Sequence, residues 1–396
     1  MRTQVGIVGA GPAGLLLAHL LHLRGIESVV LDVQTRAAIE QTIRAGILEQ
    51  GTADLLRDTG VGARMARESK VHHGINLAFE GGLHRIDLTG LSGGRSVVVY
   101  PQHEVLVDLI GQRLADGGDL RFGVADVAVD GIDDRSDTDR PIITFTLDGA
   151  TRRLECDFVV GADGSHSQCR KLVTGRRDFF RQYPFAWFGI LAEAPPSYDE
   201  LIYAHSERGF VLVSTRSPTV QRLYFQCDPA TAVDDWSDDR IWAEFTARLA
   251  PAGVAVQDGP IFKKDVLQFR SFVAEPMQRG RLFLVGDAAH TVPPTGAKGL
   301  NLAVADVQVL ERALGAWYSG DAAPLAEYTA TALRRVWRVQ WFSWWMTSML
   351  HRFPNSAQDA GDFDLRRQIA ELQLVTSSEA VARTLAEHYV GTPPGV

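Results

Sequence analysis

The hydrophobic pattern changes period twice within the first thirty-two residues. Val5, Ile7 and Val8 form a short apolar run of the kind a buried strand carries. Leu16, Leu17, Leu20 and Leu21 then recur at helical spacing, and Gly25 stands where a helix would stop. Val29, Val30 and Leu31 open a second apolar run that ends in Asp32. The pattern predicts strand, helix and strand in succession. Gly9, Gly11 and Gly14 occupy the first junction as G-x-G-x-x-G, with Pro12 near the first helical turn. Alternation from Ile75 to Leu88 predicts a hairpin turning at Glu80-Gly81-Gly82. Helical spacing covers 35–70, 104–114 and 239–250, and Ser96–Tyr100 reads as a strand. Aromatic and β-branched residues dominate 181–227, which predicts an antiparallel sheet. Two further apolar runs end in Asp163-Gly164 and Gly286-Asp287, the second followed by a glycine-rich loop and a long amphipathic pattern from Leu300. From there to Val396 the chain is mostly helical.

Composition narrows the classes. The chain has 396 residues, 45% of them hydrophobic and 22% charged, which suits a multidomain globular protein. A net charge of −8 gives no general attraction to nucleic acid or anionic membrane. Val339–Leu350, the most apolar late stretch, is far below the roughly 20 residues of a membrane helix. Cys156, Cys169 and Cys227 are few and scattered, and the first strand begins too early for a signal peptide, so a reducing cytoplasm is expected. His19 and His22 share a helix face without a third ligand in view, so no metal site is expected.

The first junction carries chemistry. Glycines let the backbone approach a pyrophosphate, a helix N-terminus favours its charge, and an acid after the second strand accepts from ribose hydroxyls. Glycine clusters also make ordinary turns. Here strand, glycines, helix, strand and acid come in order, which points to an adenine dinucleotide.

With Asp163-Gly164 and Gly286-Asp287 added, the chain resembles the single-component FAD-dependent aromatic hydroxylases. The resemblance implies an α/β fold. A Rossmann-like FAD-binding domain would cover 1–180, with the hairpin at 73–96 joining the substrate sheet. An antiparallel substrate domain would cover 181–268, and 269–396 would return to the FAD domain and end in a helical region. It also implies FAD held by Gly9, Gly11, Ala13, Gly14, Asp32, Arg44, Gln102, Asp163 and Asp287. Lys298, Gly299, Leu300 and Asn301 would face the flavin at the start of the long helix.

The likeness extends through Leu201–Ala204, Arg208–Phe210, Ser214–Arg216, Arg222–Tyr224, Val292–Lys298, Ser343–Pro354 and His388–Gly391. It resembles members that convert 4-hydroxybenzoate to 3,4-dihydroxybenzoate with NAD(P)H and dioxygen through a flavin hydroperoxide. Carried over, Arg216 clamps the substrate carboxylate with Ser214 and Tyr224, while Tyr203 and the Pro294 carbonyl meet the phenol beside Thr295. A proton relay would run through Tyr203, Tyr389 and His72. Taken singly, such tyrosines are usually packing residues and such a histidine structural; the whole pattern is what assigns them. The resemblance further implies nicotinamide-nucleotide contacts at Arg44, His166 and Arg270, and a homodimer. Val33, Ala38 and Thr42 depart from the arginine, tyrosine and arginine of NADPH-using relatives. That departure predicts NADH used at least as well as NADPH. Two alternatives stay open: a hydroxylase for another aromatic acid, and a non-enzymatic partner-binding protein of the same fold, against which the intact flavin loop argues.

Overall fold

A computed structural model describes residues 1–42, 46–133, 140–354 and 358–392, and the side chains of all but 358–361 among them. The first strand, Arg2–Val8, lies at the centre of a parallel sheet, flanked by Ser28–Asp32 on one side and by the end of Ala150–Gly161 on the other. Asp119–Phe122 and Leu282–Leu284 extend the parallel order outward. Val5, Ile7, Val8, Val29–Leu31 and Phe158–Val160 make the central strands apolar where helices pack on the sheet. Pro12–Leu23 and Gly299–Tyr318 pack there, burying Leu15, Leu17, Leu21, Val307, Leu310 and Leu314 in one core. The strand Ala150–Gly161 starts well before the run expected at 156; its first half pairs antiparallel with Ile142–Leu147.

A second sheet of eight strands runs His290–Thr291, Ile261–Glu275, Arg177–Glu193, Val220–Cys227, Val211–Ser217, Ile202–Ala204, Gly74–Phe79 and Gly82–Asp87. The fifteen-residue strand Ile261–Glu275 carries too little alternation to announce itself in the sequence. One pairing differs from the expected antiparallel order: Ile202–Ala204 lies parallel to Gly74–Phe79. Those strands come from distant parts of the chain, so no tight hairpin dictates their direction. The early hairpin turns through Glu80 and Gly81, both at positive φ (46° and 75°), which fits the right-handed twist of its strands.

One face of this sheet is covered by Asp238–Leu249, through Ile241, Phe245 and Leu249. The other face packs against Tyr328–Leu350 and Glu379–Val390, and Tyr203, Phe210, Tyr224, Phe342 and Tyr389 share that core. A small third sheet joins Ile47–Glu49, Val97–Val99 and Lys70–His72, replacing part of the helix expected across 35–70. Among the described residues no helix is long and apolar enough to cross a membrane.

Candidate active site

The first glycine turn is built for close backbone approach. Gly9 has φ +112°, and a Cβ there would sit 2.2 Å from the Ala162 carbonyl oxygen. At Gly14 it would sit 1.9 Å from the Gly9 oxygen, so strand, turn and helix can meet only without side chains. Gly11 faces open space instead, and no side chain caps the helix it begins. The uncapped N-terminus at Ala13 and Gly14 offers donors to an anion. Asp32 closes the turn: its carboxylate accepts from the Ala10 N–H at 2.6 Å and the Gln34 N–H at 2.7 Å.

Asp163 follows the neighbouring strand, and its own loop takes up both carboxylate oxygens. Ser167 Oγ donates at 2.5 Å, and the Gln168 and Cys169 N–H groups at 2.7 and 3.1 Å. Asp287 sits in the turn Gly286–Ala288, where Gly286 takes φ +61° against Ala13 and Ala303. Asp306 from the long helix anchors that turn, accepting from the Gly286 N–H at 2.9 Å and bonding His290 Nε2 at 2.6 Å. Gln102 is half-buried at the start of Gln102–Ala115.

The sheet side of the site gathers polar groups in a dry place. Tyr203 and Tyr389 hydroxyls meet at 2.7 Å, both residues 1% exposed. Burial pushes the Tyr203 phenol up to about 12, against the pull of Tyr389, a backbone bond from Gly296 and the Arg216 charge. Tyr389 goes well above an ordinary tyrosine, because burial and the Tyr203 partner act in the same direction. Arg216 Nε and Nη1 are buried without a protein partner, as is Ser214 Oγ. Burial lowers the Arg216 pKa, yet a guanidinium stays charged. Tyr224 is buried on the adjacent strand, with its ring beside Trp187. The loop 292–298 passes over this region: Pro294 accepts from the Ala297 N–H at 3.0 Å, and the Thr295 hydroxyl is buried and unpartnered.

A family model described as an FAD binding domain matches residues 2–343. A p-hydroxybenzoate hydroxylase of Acinetobacter baylyi is 43% identical over 99% of this chain and 96% of its own. The chain belongs to the single-component FAD-dependent aromatic hydroxylases. A 12-dehydrotetracycline 5-monooxygenase/anhydrotetracycline 6-monooxygenase of Streptomyces rimosus is 29% identical over 85% of this chain and 67% of its own. The solved p-nitrophenol 4-monooxygenase of Pseudomonas putida superposes with a TM-score of 0.81 over 99% of both chains; at 19% identity it speaks for the fold alone.

In this hydroxylase the helix start expected to face the flavin has its side chains occupied elsewhere. Lys298 Nζ donates to Glu49 Oε1 and to the Tyr389 carbonyl, each at 2.8 Å, in a fully buried setting. Asn301 accepts from the Glu49 N–H at 2.8 Å and donates to the Ile47 carbonyl at 2.9 Å. The donors left at this end are backbone N–H groups around Gly299 and Leu300, and no side chain caps them. His72 is 1% exposed, and neither ring nitrogen has a protein partner. Burial, with Lys70 nearby, holds it down to about 4 against Glu200 and Asp199. The structure joins Tyr203 to Tyr389 directly and gives the two His72 ring nitrogens no hydrogen-bond partner among the described residues. His166 is exposed on the loop after Asp163, and Arg270 is half-buried on Ile261–Glu275. Arg44 lies outside the described residues.

Three groups receive no role from the sequence. Glu49 and Asp306 find their partners only across the fold. Arg222 lies directly across from Ser214 on the neighbouring strand; it pairs with Asp265 at 2.9 Å while its Nε and Nη1 stay buried and unpartnered.

Proposed function

We propose that this enzyme hydroxylates 4-hydroxybenzoate at the carbon beside the phenol, giving 3,4-dihydroxybenzoate, and that it uses NADH or NADPH and dioxygen. The observation that carries the reading is the Arg216 guanidinium, with two nitrogens buried and unpaired beside the unpaired Ser214 hydroxyl. A buried charge without a counter-ion is expensive, and a planar carboxylate answers it through two parallel bonds. Tyr224 lends a further hydroxyl. At the far end of such a ligand stand the Tyr203–Tyr389 pair and the Pro294 carbonyl, whose second lone pair can meet a phenol. The A. baylyi relative, named for this substrate, supports the same reading.

FAD fits the residues present. The open turn at Gly11 and the uncapped helix would hold its pyrophosphate, while Asp32, Gln102, Asp163 and Asp287 would line it. The backbone at Lys298–Asn301 would face the ring. Bound FAD would supply hydride acceptance from reduced nicotinamide and activation of dioxygen. The chain's own part is to hold the phenol, exclude water and remove its proton. Tyr203 accepts that proton while giving its own to Tyr389, and Tyr389 passes one toward His72, which exchanges it with solvent. The phenolate then directs electron density onto the adjacent ring carbon.

His166, Arg270 and Arg44 are the proposed nicotinamide-nucleotide contacts, with NADH used at least as well as NADPH. The three free cysteines fit a cytoplasmic setting, and a homodimer is the proposed assembly. The test is a panel of hydroxylated benzoates scored for both NADH oxidation and hydroxylated product. Tight coupling with 4-hydroxybenzoate is expected; NADH loss that yields only peroxide with it, and product from another acid, would overturn the reading.

A further inference from the structure

We infer that Glu200 is the positioning residue of the proton route, fixing the segment that carries His72 and supplying the negative charge that faces it. The inference rests on the proposed relay through Tyr203, Tyr389 and His72. Glu200 lies three residues before Tyr203, in the segment leading into Ile202–Ala204. Its Oε1 accepts from the His73 N–H at 3.1 Å and the Gly74 N–H at 2.7 Å, immediately after His72. One carboxylate therefore ties the approach to the inner tyrosine to the segment holding the outer histidine. The Leu201 carbonyl continues the seam by accepting from the Asn76 N–H at 2.8 Å.

Arg85 completes the clamp. Its Nε donates to Glu200 Oε2 at 2.7 Å and its Nη2 to Oε1 at 3.0 Å. The guanidinium crosses Gly74, where a Cβ would stand 2.6 Å from Arg85 Cζ, so the missing side chain at 74 gives Arg85 its path. These donors outweigh burial and hold Glu200 below the usual carboxylate range, leaving it ionised near neutrality.

The charged and titratable groups facing His72 are Lys70 and His73 from its own segment and Glu200 and Asp199 from across the seam. Asp199 is almost fully exposed, so solvent screens its charge. Glu200 is the sheltered one, with its side chain 16% exposed. A proton leaving the pocket must reside on His72 in transit. Burial already opposes that, and the Glu200 charge favours it. Removing the charge lowers the proton affinity of His72; a drop of one unit slows transfer through the imidazolium by up to about tenfold.

The experiment is stopped-flow proton release, read with a pH indicator, when 4-hydroxybenzoate binds the FAD-loaded enzyme. Glu200→Gln keeps an acceptor for the backbone and loses the charge. Release about tenfold slower is expected, with substrate affinity within about threefold of the parent and the His72 ring ¹⁵N titration moved to lower pH. Glu200→Asp should fall between the two. Arg85→Met removes the competing cation, and should move the His72 titration to higher pH, a readout available even if Glu200→Gln folds poorly. Unchanged release and an unchanged His72 titration in Glu200→Gln overturn the inference, as does a downward shift in Arg85→Met. His72→Asn separates the two ideas: slow release there with a silent Glu200→Gln removes Glu200 alone. Parent-like release in His72→Asn removes the relay with it.

Discussion

Arg216 shows how one residue can define a ligand. Its fork is buried, charged and without a protein acceptor on Nε and Nη1, so the pocket is electrostatically incomplete until an anion enters. Removing one partner of a buried ion pair costs roughly 3–5 kcal/mol, and lysine cannot reproduce two parallel bonds. Arg216→Lys should weaken 4-hydroxybenzoate binding by about two orders of magnitude. Titrating the flavin absorbance with substrate checks this; near-normal affinity would take Arg216 out of the pocket. The opposite lesson comes from Lys298. The resemblance expects it at the flavin, and its ammonium donates to Glu49 and the Tyr389 carbonyl. No spacing rule links residues 49 and 298, so that partnership was unreadable until the fold brought them together.

At the scale of elements, local chemistry was legible wherever it depends on near neighbours. The glycine turn, the helix it starts and the Glu80–Gly81 hairpin each follow from backbone sterics within a few residues. The same holds for the short helix Arg36–Gln41, capped by Thr35 accepting from the Ala38 N–H at 3.3 Å. On it Arg36 Nε pairs with Glu40 at 2.7 Å, one turn away. That pairing already engages the arginine with an acid, while Val33 stands 66% exposed and offers no donor. A hydrogen bond to a charged group contributes roughly 1.5–3 kcal/mol, so each absent contact is worth about one to two orders of magnitude in preference. Catalytic efficiency with NADH should therefore equal or exceed that with NADPH. Steady-state kinetics with both reductants decides it, and Val33→Arg with Ala38→Tyr should move the preference toward NADPH.

For the whole molecule, the outer face of Tyr328–Leu350 is unusual. Trp337, Trp341 and Trp344 follow one another at helical spacing and are 41%, 44% and 40% exposed. Large exposed aromatic stripes mark contact surfaces, and the proposed homodimer gives this one a partner. Sedimentation should find a dimer at micromolar concentration, with Trp341→Glu and Trp344→Glu together shifting it to monomer; a monomeric parent would refute the assembly. The sequence alone determined the family, the dinucleotide turn and the hairpin, because each is written in short-range pattern or in motifs kept in order. Tertiary structure decided the rest. It set the parallel pairing of Ile202–Ala204 with Gly74–Phe79, the union of Tyr203 with Tyr389 across 186 positions, and the burial that leaves Arg216 unpaired. Those depend on contacts between distant segments and on the removal of water around them. Neither is encoded locally, since a side chain's charge is fixed by its chemistry but its solvation only by what folds over it.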